Sequence, residues 1–206
     1  MRPTYRIESF LGSRSRVSVL RALINIDIPL NASQIAAMTN LTRPAITAVL
    51  QDFAAMGVVR SSSAGRANVH LLNRENVYVQ HLAIPLFSAE NDLPEWLEDD
   101  LRAAFVECAD SIVLFGSYAR GDQDAHSDID VVLVADDATC KRALDRQLDS
   151  VGREFRARYG ATLSALTYEA RDANALWRTA PAFLESLKRD GLVVHGKGPW
   201  EWNDDE

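Results

Sequence analysis

Apolar residues recur at helical spacing three times near the start of the chain and then give way to a hairpin pattern. Ser13 to Ile26 reads as a helix, with Val17, Leu20, Leu23 and Ile24 on one face and Ser13 or Ser15 placed to cap it. Pro29 interrupts, and a short second helix begins at Asn31 or Ala32 with Ile35, Ala36 and Met38 as its apolar contacts. A tight turn at Thr39-Asn40 leads to a third helix, capped by Thr42, with Pro44 in its first turn and a stripe of Ile46, Val49, Leu50 and Phe53 that ends at Gly57. Val58 to Arg60, a Ser- and Gly-containing turn, and Ala67 to Leu72 then read as strand, turn, strand.

The second half has a different rhythm. Residues 74–88 form an apolar, helix-like connector, Asn91 to Pro94 marks the entry to the second half, and Pro94 to Asp110 reads as a helix. Ser111 to Phe115 is a short apolar run, as a buried strand requires. A Gly116-Ser117 turn opens a short helix, and after a loop comes Asp128-Ile129-Asp130-Val131-Val132-Leu133-Val134. Ala161 to Tyr168 is a later strand, and residues 177–196 read as a helix and a final short strand.

Composition excludes several classes. With 206 residues, 47% hydrophobic and 25% charged, the chain reads as an ordinary globular protein of one or two domains. It has no apolar run of membrane-spanning length, and its start lacks the apolar core of a secretory signal, so a cytoplasmic location without membrane partners is expected. Cys108, Cys140 and the four histidines fall into no zinc-ligand spacing. The net charge of −7 is unevenly spread: residues 1–88 carry nine arginines against four acids, a balance of +5, and residues 89–206 carry thirteen Lys or Arg against 25 acids, a balance of −12. The basic half suits a polyanion, and the acidic half repels one.

Three helices closed by a hairpin, over roughly residues 13–73, resemble the winged helix-turn-helix family, in particular its MarR- and ArsR-type regulators. The resemblance implies binding of double-stranded DNA as a homodimer on two half-sites. Thr42, Arg43, Thr47 and Gln51, opposite the apolar stripe of the third helix, are the candidate base-reading residues. Ser33 and Gln34 sit where the preceding helix meets phosphate, and Arg60 and Arg66 flank the hairpin tip. A polar face of this kind also suits protein contact, and the +5 charge tips the reading toward DNA.

The stretch G-S-Y-A-R-G-D-x-x-x-x-S-D-I-D-V-V-L-V, within residues 112–134, is similar to the signature of the polymerase-beta-like nucleotidyltransferases, especially the minimal ones. Asp128 and Asp130 are two apart on a strand, so both carboxylates share one face while Ile129 turns to the other. Two acids entering an apolar strand are costly unless a cation or hydrogen bonds compensate. They form a hard oxygen cradle for Mg²⁺ or Mn²⁺. Gly116 admits a phosphate close to the backbone, the Ser117 hydroxyl binds it, Arg120 adds a cation, and Ser127 orients the loop before Asp128. Active members of the superfamily supply a third carboxylate from a later strand, and here that position falls near Ser164.

The fold class expected is α+β, an N-terminal winged helix followed by a nucleotidyltransferase-fold mixed sheet flanked by helices. The boundaries are 1–73 for the winged helix, 74–93 for the connecting helix and linker, and 94–200 for the nucleotidyltransferase domain. Two functions fit. One is an enzyme moving a nucleoside monophosphate from an NTP, ATP for preference, to an acceptor such as a toxin-like partner protein. The other is a transcriptional regulator whose nucleotidyltransferase domain only senses nucleotide or is inactive.

Overall fold

The computed structural model describes residues 5–64 and 67–202. It divides into two compact units, Met1–Leu93 and Pro94–Glu206.

The first unit is built from α1 (Ile7–Leu11), α2 (Arg14–Ile24), β1 (Leu30–Asn31), α3 (Ala32–Thr39), α4 (Arg43–Ala55), β2 (Val59–Ala64) and β3 (Ala67–Leu72). The local chemistry of the chain sets the helix starts. The Ser13 side chain accepts the Arg16 N–H at 3.2 Å. Asn31 and Gln34 form a reciprocal capping box, each side chain bonded to the other's backbone N–H. Asn40 closes α3 in the left-handed region at φ +54°, as the expected tight turn requires. Thr42 does precede α4, but its hydroxyl makes no capping bond. Pro44, at the second helical position, has no N–H to offer it.

The apolar stripes then converge. Phe10, Leu20, Leu23, Ile35, Ile46, Leu50 and Phe53 are almost fully buried in one core with Val58 and Leu72 of the hairpin. Truncating such a residue, Phe53 for example, costs about 3–5 kcal/mol. The hairpin pairs Val59 with Leu72 through Ala64 with Ala67, and β1 adds a third antiparallel strand against β3.

The connector differs from its sequence reading. Val79–Ala83 is a π-helical turn that runs into a single helix, α5 (Ile84–Phe105), with Pro94 inside it. The entry to the second half does fall at Pro94, but the helix begins earlier than the sequence suggests and runs through that proline, which removes one helical hydrogen bond. Packing overrides that cost, since Phe87 is buried in the first core and Leu97, Leu101 and Phe105 in the second.

The second unit continues with β4 (Ser111–Phe115), α6 (Gly116–Arg120), β5 (Ile129–Ala135), α7 (Ala138–Tyr159), β6 (Leu163–Glu169), α8 (Ala170–Asn174), α9 (Leu176–Thr179), α10 (Pro181–Asp190) and β7 (Leu192–Gly196). Its sheet runs β6-β5-β4-β7, with β5 and β6 parallel and the other pairs antiparallel. Strand alternation splits its apolar residues between two layers. Ile129, Val131 and Leu133 face a core with Leu101, Phe105, Leu144 and Phe155. Val132 and Val134 face another with Leu176, Leu184 and Leu187. The expected α+β class, a helical N-terminal region followed by a mixed sheet flanked by helices, is what the chain adopts.

Candidate functional site

Three elements of the second unit build one site. β5 opens at Ile129, which is fully buried, so Asp128 lies just before the strand and Asp130 just inside it. Asp130 is the registered partner of Phe115 on β4 and of Ser164 on β6. The next residue after Phe115 is Gly116, at φ +74°. A Cβ placed on Gly116 would sit 2.6 Å from Asp130 Oδ2, closer than real Cβ atoms approach. Glycine is therefore required there twice, by backbone angle and by space. The close approach is what brings the Gly-Ser turn against the carboxylate.

The electrostatics follow from the placement. Burial pushes the Asp130 carboxyl above its ordinary value. A hydrogen bond from the Ser164 hydroxyl opposes that rise, and the negative charge of Asp128 adds to it. A half-buried carboxylate with a like charge beside it is a site short of a cation. Among the described residues, no three His, Cys, Asp or Glu side chains group to hold a metal. The cradle offers two carboxylates, a serine hydroxyl and the gap that the missing Cβ of Gly116 leaves. A hard divalent ion fits this donor set if its remaining oxygens come from a bound phosphate or water.

The other residues singled out in the sequence fall around this centre. Ser117 is half-buried on α6, and its carbonyl accepts the Asp122 N–H at 3.1 Å. Arg120, on the same short helix, pairs with Asp122 at 3.2 Å. Ser127 orders the loop: its hydroxyl oxygen accepts the Asp124 N–H at 2.9 Å and lies 3.2 Å from Asp124 Oδ1. Sequence reading missed Arg156 and Thr162. With His126, Ser127 and Asp128 they line a small cleft of about 190 Å³. No motif signals it, because its walls come from a loop and a helix end far apart in the chain.

The first unit presents a separate face. Ser33, Arg43, Thr47 and Gln51 line one cleft of about 560 Å³, joined by Asn68 and His70 of the hairpin. Burial holds the His70 imidazole below its ordinary value, and its Nδ1 lies 2.8 Å from the Ser61 hydroxyl. Among the described residues, Arg43 is thus the permanent cation of the cleft. Thr47 returns its hydroxyl to the Arg43 carbonyl at 2.9 Å. Thr42 is exposed at the head of α4. Gln34 is committed to the capping box through its side-chain oxygen, and Arg60 is ion-paired with Glu75. Arg66 lies outside the described residues.

A Gly-Ser turn packed on an acid at the head of a mixed-sheet strand defines a nucleotidyltransferase-type domain, here behind a helix-turn-helix domain of the DNA-binding class. Residues 95–167 match the nucleotidyltransferase domain family, and residues 6–77 match the Crp-like helix-turn-helix domain, a winged class not specific to the MarR or ArsR type. The chain belongs to the nucleotidyltransferase domain family. "Putative protein adenylyltransferase MJ0141" of Methanocaldococcus jannaschii is 32% identical over 96 residues, which are 46% of this chain and 88% of that one. "Putative protein adenylyltransferase MJ1305" of the same organism is 39% identical over 84 residues, 40% of this chain and 56% of that one, so little more than half of that relative is spanned. Among solved structures, a toxin-antitoxin crystal structure with AMP-PNP is similar at 18% identity and a TM-score of 0.32, over 50% of this chain and 73% of that chain. No described helix is long and apolar enough to cross a membrane.

Proposed function

We propose that this chain is a divalent-metal-dependent nucleotidyltransferase placed by a DNA-binding domain. It transfers a nucleoside monophosphate, AMP for preference, to an acceptor hydroxyl. The relatives' names point to a protein acceptor. In the reaction the acceptor oxygen bonds to the α-phosphorus as the bond to the bridging oxygen breaks. The acceptor proton is lost and pyrophosphate leaves. The observation that carries this reading is the contact between Gly116 and the Asp130 carboxylate, with Asp128 one residue before the same strand.

Asp128 and Asp130 hold Mg²⁺ or Mn²⁺, which when bound neutralises phosphate charge. Gly116 and Ser117 receive the phosphates, Arg120 lends a cation at the end of α6, and Ser127 fixes the loop that presents Asp128. Ser164 stands where relatives supply a third acid, and its hydroxyl steadies the Asp130 carboxylate. The winged helix, of the regulator type seen in MarR and ArsR proteins, reads double-stranded DNA through Ser33, Thr42, Arg43, Thr47 and Gln51, with Arg60 and Arg66 toward backbone, and works as a homodimer. Functional boundaries of 1–73, 74–93 and 94–200 follow.

Ser164 also supports a second reading, in which the domain binds nucleotide without turnover and tunes DNA binding. Labelled ATP, Mg²⁺ and candidate acceptors, with wild type against Asp128→Ala, separate the two. Label transfer lost in the variant supports the enzyme. Nucleotide-dependent DNA binding with no pyrophosphate release supports the sensor.

A further inference from the structure

The cleft beside Asp128 has a composition that the carboxylate site does not explain. Arg156, in the last turn of α7, donates from Nη1 to the Thr162 hydroxyl at 2.9 Å. The carbonyl of the same Thr162 accepts the Ile129 N–H at 2.8 Å. One residue therefore fixes both the guanidinium and the head of the strand that carries Asp130. Ala125, Gly160 and Ala161 supply small walls, and the remaining lining is polar.

In this acidic unit Arg102, Arg120, Arg158, Arg171 and Arg189 each pair with a carboxylate, while Arg142, Arg146 and Arg153 do not among the described residues; what sets Arg156 apart is its place in the cleft beside Asp128. Arg156 makes no ion pair among the described residues, and its bond to Thr162 uses one of five guanidinium donors. The remaining fork suits a tetrahedral oxyanion. At about 190 Å³ the cleft is smaller than the roughly 300 Å³ at which pockets for drug-sized ligands begin. It has room for a phosphate group.

We propose that Arg156, held by Thr162, forms an oxyanion subsite that takes a phosphate group beside Asp128. Its place in catalysis rests on the nucleotidyl-transfer reading, but the binding does not. The phosphate is either the β,γ end of the nucleotide, released as pyrophosphate, or one carried by the acceptor.

Titration calorimetry with inorganic pyrophosphate in EDTA tests the subsite without any metal at the carboxylates. Arg156→Gln weakens pyrophosphate binding by about tenfold, and Arg156→Lys restores part of it. Thr162→Val, which leaves the backbone bond to Ile129 intact, gives an intermediate loss. An Arg156 that merely complements the end of α7 would change the melting temperature and leave pyrophosphate binding alone. Repeating the titration with ATP and AMP in Mg²⁺ identifies the source. A preference for ATP over AMP that shrinks in Arg156→Gln assigns the subsite to the nucleotide tail. An unchanged preference assigns it to the acceptor's phosphate. Pyrophosphate affinity equal in wild type and in both Arg156 variants overturns the proposal. If wild type binds no ATP yet holds pyrophosphate through Arg156, the subsite stands and the nucleotidyl-transfer reading fails.

Discussion

The two units use polar side chains in opposite ways. In the first, the candidate contacts on α3 and α4 sit on the solvent side of helices whose buried stripes do the folding, and among the described ones a single bond, from the Thr47 hydroxyl to the Arg43 carbonyl, links one to another. In the second, Asp130 is inside a sheet: it faces Phe115 and Ser164 across the strands, touches the space over Gly116 and feels the charge of Asp128. Independent surface groups contribute in increments that add, whereas groups sharing one site fail together. Recognition of a repetitive polyanion tolerates the first arrangement. Chemistry at one phosphorus atom requires the second.

The sharpest way to break this contrast is at the carboxylates. Asp128→Asn and Asp130→Asn should each lower nucleotidyl transfer by about 10²–10³-fold, and the double variant little further, measured as pyrophosphate release. Losses that multiply would mean that the two acids act independently.

Next comes Gly116→Ala. The left-handed backbone and the encroachment on Asp130 together cost about 1–3 kcal/mol, read by urea denaturation, and metal affinity should fall with stability. An alanine variant of full stability and full Mg²⁺ affinity would show that the turn does not crowd the acid.

In the first unit, Arg43→Ala should cost about 1–3 kcal/mol of DNA affinity if it reads a base, with the fold intact because the residue is exposed. Thr47→Ala and Gln51→Ala should add to it nearly independently. Fluorescence anisotropy over a salt series checks both, since wild-type affinity should fall steeply as salt rises. An affinity indifferent to salt and to Arg43 would remove DNA from the account.

The smallest effect is the pH dependence from Asp130. Its folded carboxyl titrates above the ordinary 3.8, so the native state holds the proton more tightly than the unfolded chain. That contribution to stability is present below the ordinary value and is lost as pH rises through the raised one. Asp130→Asn should flatten this slope in denaturation curves across the acidic range. Saturating Mg²⁺ should oppose it in wild type, by about 2.7 kcal/mol at a hundredfold excess over Kd.

Which parts were legible in the chain follows the same division. The helix starts at Ser13 and Asn31, the stripes of α2 and α4, the hairpin and the Asp-Ile-Asp strand all depend on spacing within one element. Periodicity and capping chemistry reveal such features directly. The second unit does begin at Pro94, as the sequence reading has it, but the helix does not start there: a proline's local cost is outweighed by the burial of its apolar neighbours in the helix. The Thr42 cap was expected from residue type alone, and Pro44 beside it left that hydroxyl one donor fewer to accept.

By itself the sequence determined the three N-terminal helices and their hairpin, the strands around the Gly-Ser turn, the winged-helix and nucleotidyltransferase halves, the opposed charges and the nearness of Asp128 to Asp130, since all of these are carried by neighbours along the chain; the short α1 and β1 and the long α7 were not read from it. Only the tertiary structure decided that Gly116 lies against Asp130, that Ser164 is that acid's neighbour across the parallel strands, and that Arg156 shares a cleft with Asp128. Those contacts join residues that strand pairing and helix packing bring together from distant positions, and no local periodicity encodes the distance between them.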